Sequence, residues 1–371
     1  MSHSDCLIIG AGPAGGAAAY HLAKQGVHVT VLEKSSWPRA RPCGGGISPA
    51  VAGWFDLDFT PAISTTVDQV MFTWKKDDRV DARLRTEPMW MVQREIFDAF
   101  LIEQAIAAGA QFQPETEVQS LQFQGGQWQV QTSQGEFTAT YLIAADGVNS
   151  RARKQLGFRP LKTTLAATAD LPGPPANPHL AAFEFGTLKN GFVWQFPHRE
   201  GMRLNAAIMT GTARADRLIR CLRDYAAQPD LAVEVVAIAL WSGEQRLHGQ
   251  NALLAGNAAG LADPLLAEGT RPALWSGVKA AEAIAAALGG EPGAIAQYST
   301  VIQQTWGENM AWAQRLATIF YSVPRLAYTV GVKQPLAVRL LSQILCGELE
   351  YVAIVDRATE AVKKKMFSFG G

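Results

Sequence analysis

Three glycines in the run Gly10-Ala11-Gly12-Pro13-Ala14-Gly15 have the spacing of a turn that receives a diphosphate. Gly10 permits a tight turn, Gly12 lets backbone approach phosphate oxygens, and Gly15 lets a following helix settle against a sheet. A helix opening at Pro13 points free N–H groups and partial positive charge at the anion. Glu33, with Lys34 beside it, ends the next apolar run, where a carboxylate accepts hydrogen bonds from ribose hydroxyls. Further along, Cys43 stands in the run Pro42-Cys43-Gly44-Gly45-Gly46, a polarizable, weakly acidic thiol on a loop that can pass close to a flat ring. Cys43 is either a reacting group or a small residue in a crowded loop.

The elements that must carry these residues can be read from the apolar periodicity. Cys6 to Ile9, the glycine turn, a helix through about Gln25 and the segment 27–33 make one βαβ unit. A Pro- and Gly-rich loop follows, then a helix over 93–109 and three strands ending in Ala144. Segments between about 160 and 250 alternate apolar and polar residues as an antiparallel sheet with one face covered does. From 271 onward the chain reads as mostly helical. The expected fold class is α/β with an α+β substrate part. Residues 1–60, 93–160 and 250–290 form a Rossmann-type domain, 61–92 and 161–249 an antiparallel-sheet substrate domain, and 291–371 a helical C-terminal region.

Two more glycine turns decide which dinucleotide is expected. Asp146 and Gly147 follow one strand; Gly256 and Asn257 follow another, with Gly269 and Thr270 opening a helix in which Pro272 falls in the first turn. NAD needs only the first βαβ unit, whereas the ribityl chain and ring of FAD need contacts from distant parts of a chain. Either turn alone could equally be a structural Asx-type turn at a strand end.

Composition narrows the partners. Thirty-three basic and thirty-three acidic residues leave no field for a nucleic-acid backbone. Cys6, Cys43, Cys221 and Cys346 lie far apart without a CxxC pair, and the histidines show no ligand spacing, so neither a disulfide framework, a reason to leave a reducing compartment, nor a metal site is expected. The chain opens without the features of a signal peptide, and no apolar run is long enough to span a bilayer. A cytoplasmic location follows. Between Ser322 and Lys365, apolar faces mixed with Arg325, Lys333, Arg339 and Lys363 to Lys365 suit either a helical cap over a pocket or contact with a membrane surface.

The three turns together resemble the flavin fingerprint of the p-hydroxybenzoate hydroxylase-like superfamily. The resemblance tightens to the geranylgeranyl reductase family in Pro42 to Ser48, Gly191 to Pro197 and Gly260 to Thr270, in Gln93-Arg94 with Phe97-Asp98, and in the tail Ile344 to Tyr351. It implies FAD as cofactor, held through Gly10, Gly12, Pro13, Ala14, Gly15, Glu33, Lys34, Cys43, Gly44, Gly45, Arg94, Asp146, Gly147, Gly256, Asn257, Gly269 and Thr270. Asn257 departs from the pattern, because an acid normally follows the first glycine there; an amide loses a charge-assisted bond and weakens FAD retention.

Phe192, Trp194 and Phe196 share one face of a strand, and Phe183 and Phe185 one face of the segment before it. Such a wall suits a long isoprenoid, which offers few polar handles, or forms ordinary sheet core. His198, Arg199 and Arg203 flank it, either as cations at the pocket mouth for a diphosphate or phospholipid end or, the preferred reading, as solvated hairpin charges. The implied reaction is hydride transfer from reduced FAD to an isolated C=C bond of a prenyl chain, with Cys43 or a water beside it supplying the proton, and with NADPH or a reduced ferredoxin as electron donor. A flavin monooxygenase and a prenyl- or flavin-binding protein without turnover are the alternatives.

Overall fold

The structure is a computed structural model and describes residues 2–353. Strand Ser2–Ile9 leads through the glycine turn into helix Pro13–Lys24, and strand Val29–Leu32 returns parallel to the first. Pro13 begins the helix where its missing N–H costs nothing. The helix buries Ala14, Ala17, Ala18, Ala19 and Leu22, and its small residues let helix Thr270–Leu288 come close. A Cβ on Gly277 would stand 2.3 Å from the Ala14 carbonyl oxygen.

The parallel core of the first sheet runs in the order Ala252–Leu254, Gly135–Ala144, Ser2–Ile9, Val29–Leu32, Gln111–Gln113. Leu254, Ala144, Ile9, Leu32 and Gln113 are successive partners in one row at its carboxyl edge. Three motifs far apart in sequence therefore leave the sheet side by side. This is the edge at which parallel α/β sheets hold ligands.

The second sheet has the order Glu234–Ile238, Thr164–Pro172, Gly201–Ile208, Gly191–His198, Leu180–Phe185, Gln69–Trp74, Asp77–Arg83. Its pairs are antiparallel except that Leu180–Phe185 runs parallel to Gln69–Trp74, which the alternation pattern did not distinguish. Between those two strands the chain passes through the four first-sheet strands from Gln111–Gln113 to Gly135–Ala144, a crossover long enough to return in the same direction. One face packs on helix Ala215–Ala226, where Leu218 and Leu222 are fully buried, each contributing about 1.5–3 kcal/mol.

The opposite face looks toward the first sheet and the C-terminal helices Glu308–Ser322 and Pro335–Leu345. Helices are present over the described part of that region, but they cover the aromatic end of the second sheet and not, as expected, a pocket. The cluster Lys363 to Lys365 lies outside the described residues. Among the described residues, no helix is long and apolar enough to cross a membrane.

Candidate active site

A cavity of about 630 Å³ opens at the carboxyl edge of the parallel strands and extends across to the second sheet. Gly10, Gly12, Pro13, Ala14, Glu33, Lys34, Cys43, Gly44, Arg94, Asp146, Gly147, Asn257, Gly269 and Thr270 all line it. Gly10 has φ +102°, and a Cβ there would lie 2.6 Å from the Ala145 carbonyl oxygen, so this turn admits no side chain. Gly15, Gly45 and Gly256 do not line the cavity. Their added Cβ atoms would meet the Gly10 carbonyl oxygen at 1.9 Å, the Val92 carbonyl oxygen at 2.5 Å and the Ala14 Cβ at 2.9 Å, so they allow packing behind the walls.

Beneath the glycine turn lies a buried charge network. Glu33 is 2 % exposed; its carboxylate accepts the Ala11 and Ser35 N–H groups, each at 3.1 Å, and its Oε2 stands 3.1 Å from Arg39 Nε. Arg39 Nη1 donates to Asp98 Oδ2 at 2.9 Å, and Arg94 donates to both oxygens of Asp98 at 2.8 Å. Burial alone would raise the Glu33 carboxyl, but Arg39 and the two N–H groups outweigh it and hold it below its ordinary value. Burial would likewise lower the Arg94 guanidinium, and Asp98, then Cys43, reverse that and raise it.

Arg39, Arg41 and Arg94 face only two carboxylates, Glu33 and Asp98, which leaves one positive charge over. A Cβ on Gly12 would stand 3.7 Å from Arg39 Nη2 and 3.8 Å from Arg94 Nη2, so both guanidiniums converge where that glycine leaves space. The donors, the helix terminus and the surplus charge fit a diphosphate. Sequence reading did not single out Arg39. Its signal was faint: a basic residue in a loop, answering a carboxylate one turn along from Arg94.

Residues 3–305 match the family described as FAD binding domain. The chain belongs to that family. It is 29% identical over 298 residues to an uncharacterized protein of Methanosarcina barkeri, covering 78% of this chain and 76% of the relative. It is 27% identical over 302 residues to a geranylgeranyl diphosphate reductase of Rhodobacter capsulatus, covering 76% and 75%. A solved geranylgeranyl bacteriochlorophyll reductase-like protein of Thermoplasma acidophilum shares the fold, with a TM-score of 0.78 and 21% identity over 86% of this chain and 88% of that one. The chain is an FAD-dependent oxidoreductase of the geranylgeranyl reductase type.

The remaining lining residues of this flavoprotein fit the rest of FAD. Asn257 Oδ1 is buried with no partner, 3.4 Å from where a Gly269 Cβ would stand, and can accept from a ribityl hydroxyl. Helix Thr270–Leu288 starts beside it with Thr270 on the cavity wall, and the Arg271 N–H in its first turn donates to Glu268 Oε1 at 2.7 Å, so the open helix terminus expected from the sequence is closed in part by a carboxylate. Asp146 is turned to other work: Ser150 and the Ala152 N–H, at 3.1 Å, donate to its carboxylate and so fasten the short helix Arg151–Gln155. Burial outweighs those bonds and raises its pKa.

Cys43 sits where the two halves of the cavity meet. Its Sγ is 4.0 Å from Thr270 Oγ1, and its carbonyl accepts from Arg203 Nη1 at 3.3 Å. Arg203 is itself held by Asp170 at 2.7 and 3.0 Å, so it is a half-buried structural cation and not the free hairpin charge expected from sequence. His198 lies 3.7 Å from the same carboxylate, and burial lowers its pKa.

The glycines after Cys43 press on aromatic side chains. A Cβ on Gly44 would lie 2.7 Å from Trp194 Nε1, and one on Gly46 would lie 2.6 Å from the Phe196 ring. Of the five aromatic residues expected to form the wall, Trp194 alone lines the cavity. Phe183, Phe192 and Phe196 are buried and Phe185 half-buried; Phe185 packs 5.1 Å from Phe320 on the C-terminal cap. The cap needs an apolar bed, and the aromatic end of the sheet supplies it. The cavity lies instead over the small end, floored by Ala166, Thr168, Asn205, Val236 and Ile238.

Proposed function

We propose that this flavoprotein reduces isolated C=C bonds of a prenyl chain of the geranylgeranyl type. The observation that carries the reading is the single cavity joining a dinucleotide cradle to a slot over the small-residue end of the sheet, with Cys43 at the junction. The sequence kinship with a reductase of a geranylgeranyl compound supports it.

Reduced FAD, when bound, supplies the hydride. The protein's part is position, dryness and a proton. Val236 and Ile238 face the slot with apolar side chains, Trp194 closes one side, and the chain of the substrate lies against them by shape and apolar contact. An unactivated alkene has no carbonyl to polarise, so the second hydrogen arrives as a proton at the other carbon; the Cys43 thiol, or a water held against it, delivers it. NADPH or a reduced ferredoxin re-reduces the cofactor.

The outer face of the cap adds a place for the enzyme to work. Ile319, Val323, Leu326 and Val330 recur at helical spacing and are 48–62% exposed, an apolar stripe that we assign to contact with the membrane surface where prenyl lipids reside. Leu326→Glu with Val330→Glu should abolish co-sedimentation with phosphatidylglycerol vesicles and leave FAD content unchanged; undiminished sedimentation contradicts the assignment.

The reaction is tested by loading the protein with FAD, reducing it with dithionite without oxygen, adding geranylgeranyl diphosphate and weighing the lipid. A gain of two hydrogens per bond is expected, and Cys43→Ala should lower the rate at least about tenfold. An oxygenated product formed only in air would instead identify a monooxygenase.

A further inference from the structure

On its cavity side the second sheet presents its residues in cross-strand rows. Phe185, Phe192, Ala207, Ala166 and Val236 are successive partners in one row, and Phe183, Trp194, Asn205, Thr168 and Glu234 in the next. Along the first row the side chains shrink from phenylalanine to alanine, which opens the slot. Along the second, aromatic rings give way to two polar side chains in the middle of the floor.

The fold gives one of these groups a single hydrogen bond and leaves the hydroxyl of the other with none. Asn205 is 1 % exposed, donates from Nδ2 to the Arg203 carbonyl at 3.1 Å, and lines the cavity. Thr168 also lines the cavity, and its Oγ1 is buried with no partner. A valine would fill the place of Thr168 with the same shape, and a purely hydrocarbon ligand would leave the hydroxyl unpaired. Buried hydroxyl and amide groups aimed into a ligand slot are the means by which a site demands a polar atom of its ligand.

We propose that Thr168 and Asn205 hydrogen-bond an oxygen that the substrate carries close to the reduced double bond, so that the enzyme selects oxygenated isoprenoids over hydrocarbon ones. This rests on the prenyl-reductase reading and narrows it. The oxygen is a neutral one, of an alcohol, ether or carbonyl. Arg203, the guanidinium neighbouring Asn205, is already matched by Asp170 through two hydrogen bonds of 2.7 and 3.0 Å and has no charge to spare for a phosphate.

The test is calorimetric titration of FAD-loaded protein with geranylgeraniol and with squalene, an isoprenoid without oxygen, for wild type, Thr168→Val and Thr168→Ser. The wild type should bind geranylgeraniol at least about tenfold more tightly than squalene. Thr168→Val should remove that preference by weakening geranylgeraniol alone, and Thr168→Ser should restore it. Equal affinity of the wild type for both lipids, or an equal effect of Thr168→Val on both, overturns the inference while the prenyl reading stands. A wild type that binds neither lipid removes the prenyl reading and the inference with it. Weaker FAD binding by Thr168→Val would reassign the hydroxyl to the cofactor and also overturns it.

Discussion

Arg94 and Asp98, one turn apart on the same helix, meet through two parallel hydrogen bonds of 2.8 Å, with the Asp98 side chain wholly buried. The same carboxylate takes Arg39 at 2.9 Å, so one acid positions both guanidiniums that face the Gly12 turn. Removing it leaves buried Arg94 unmatched and Arg39 with Glu33 alone. Asp98→Ala should lower unfolding free energy by about 3–5 kcal/mol, read from denaturant midpoints of the FAD-free protein. A loss below about 1 kcal/mol would show that the network is solvated.

Arg94→Lys should keep the charge and lose the fork. The planar guanidinium satisfies Asp98 bidentately while facing the phosphate turn, which an ammonium cannot do. FAD affinity should fall by about tenfold with little change in stability, measured by fluorescence titration of the apoprotein.

Asn257 Oδ1 is buried and unpaired, so an acid there has a waiting donor only when a ribityl hydroxyl is present. Asn257→Asp should tighten FAD binding by about tenfold, the difference between a neutral and a charge-assisted hydrogen bond, and destabilise the FAD-free protein. Weaker binding by the acid would place the ribityl chain elsewhere.

The Glu33 carboxyl is held below its ordinary value, chiefly by Arg39 against its own burial. A depressed folded-state pKa contributes stability above the unfolded-state value, and that contribution is lost as pH falls through the folded value. FAD release and unfolding should therefore set in below the ordinary carboxylate range. Glu33→Gln should flatten that acid limb while lowering stability at neutral pH, as pH-dependent melting of both proteins would show.

Much of this site was legible because its motifs are local. Gly10, Gly12 and Glu33 sit on one βαβ unit whose periodicity and turn chemistry follow from neighbouring residues, and the later turns at Asp146 and Asn257 each follow a recognisable strand. What sequence could not show was pairing across the fold. Arg39 acquires its meaning from Asp98 in another element, and Arg203 reads as a surface charge until Asp170 appears beside it on the next strand. The aromatic face was likewise visible as periodicity, whereas its cover, the C-terminal helices, is a long-range choice. The slot was missed because a small residue such as Ala166 gives no signal until a cavity is seen above it.

The central claim is that the protein passes hydride from its flavin to a prenyl double bond, and single-turnover reoxidation without oxygen tests it most directly. Mixed anaerobically with geranylgeraniol or geranylgeranyl diphosphate, the reduced, FAD-loaded protein should return to the oxidised flavin spectrum at a rate that rises with lipid concentration and saturates, with one saturated bond per flavin. A flavin that stays reduced at every lipid concentration, yet reoxidises when air is admitted, would contradict it.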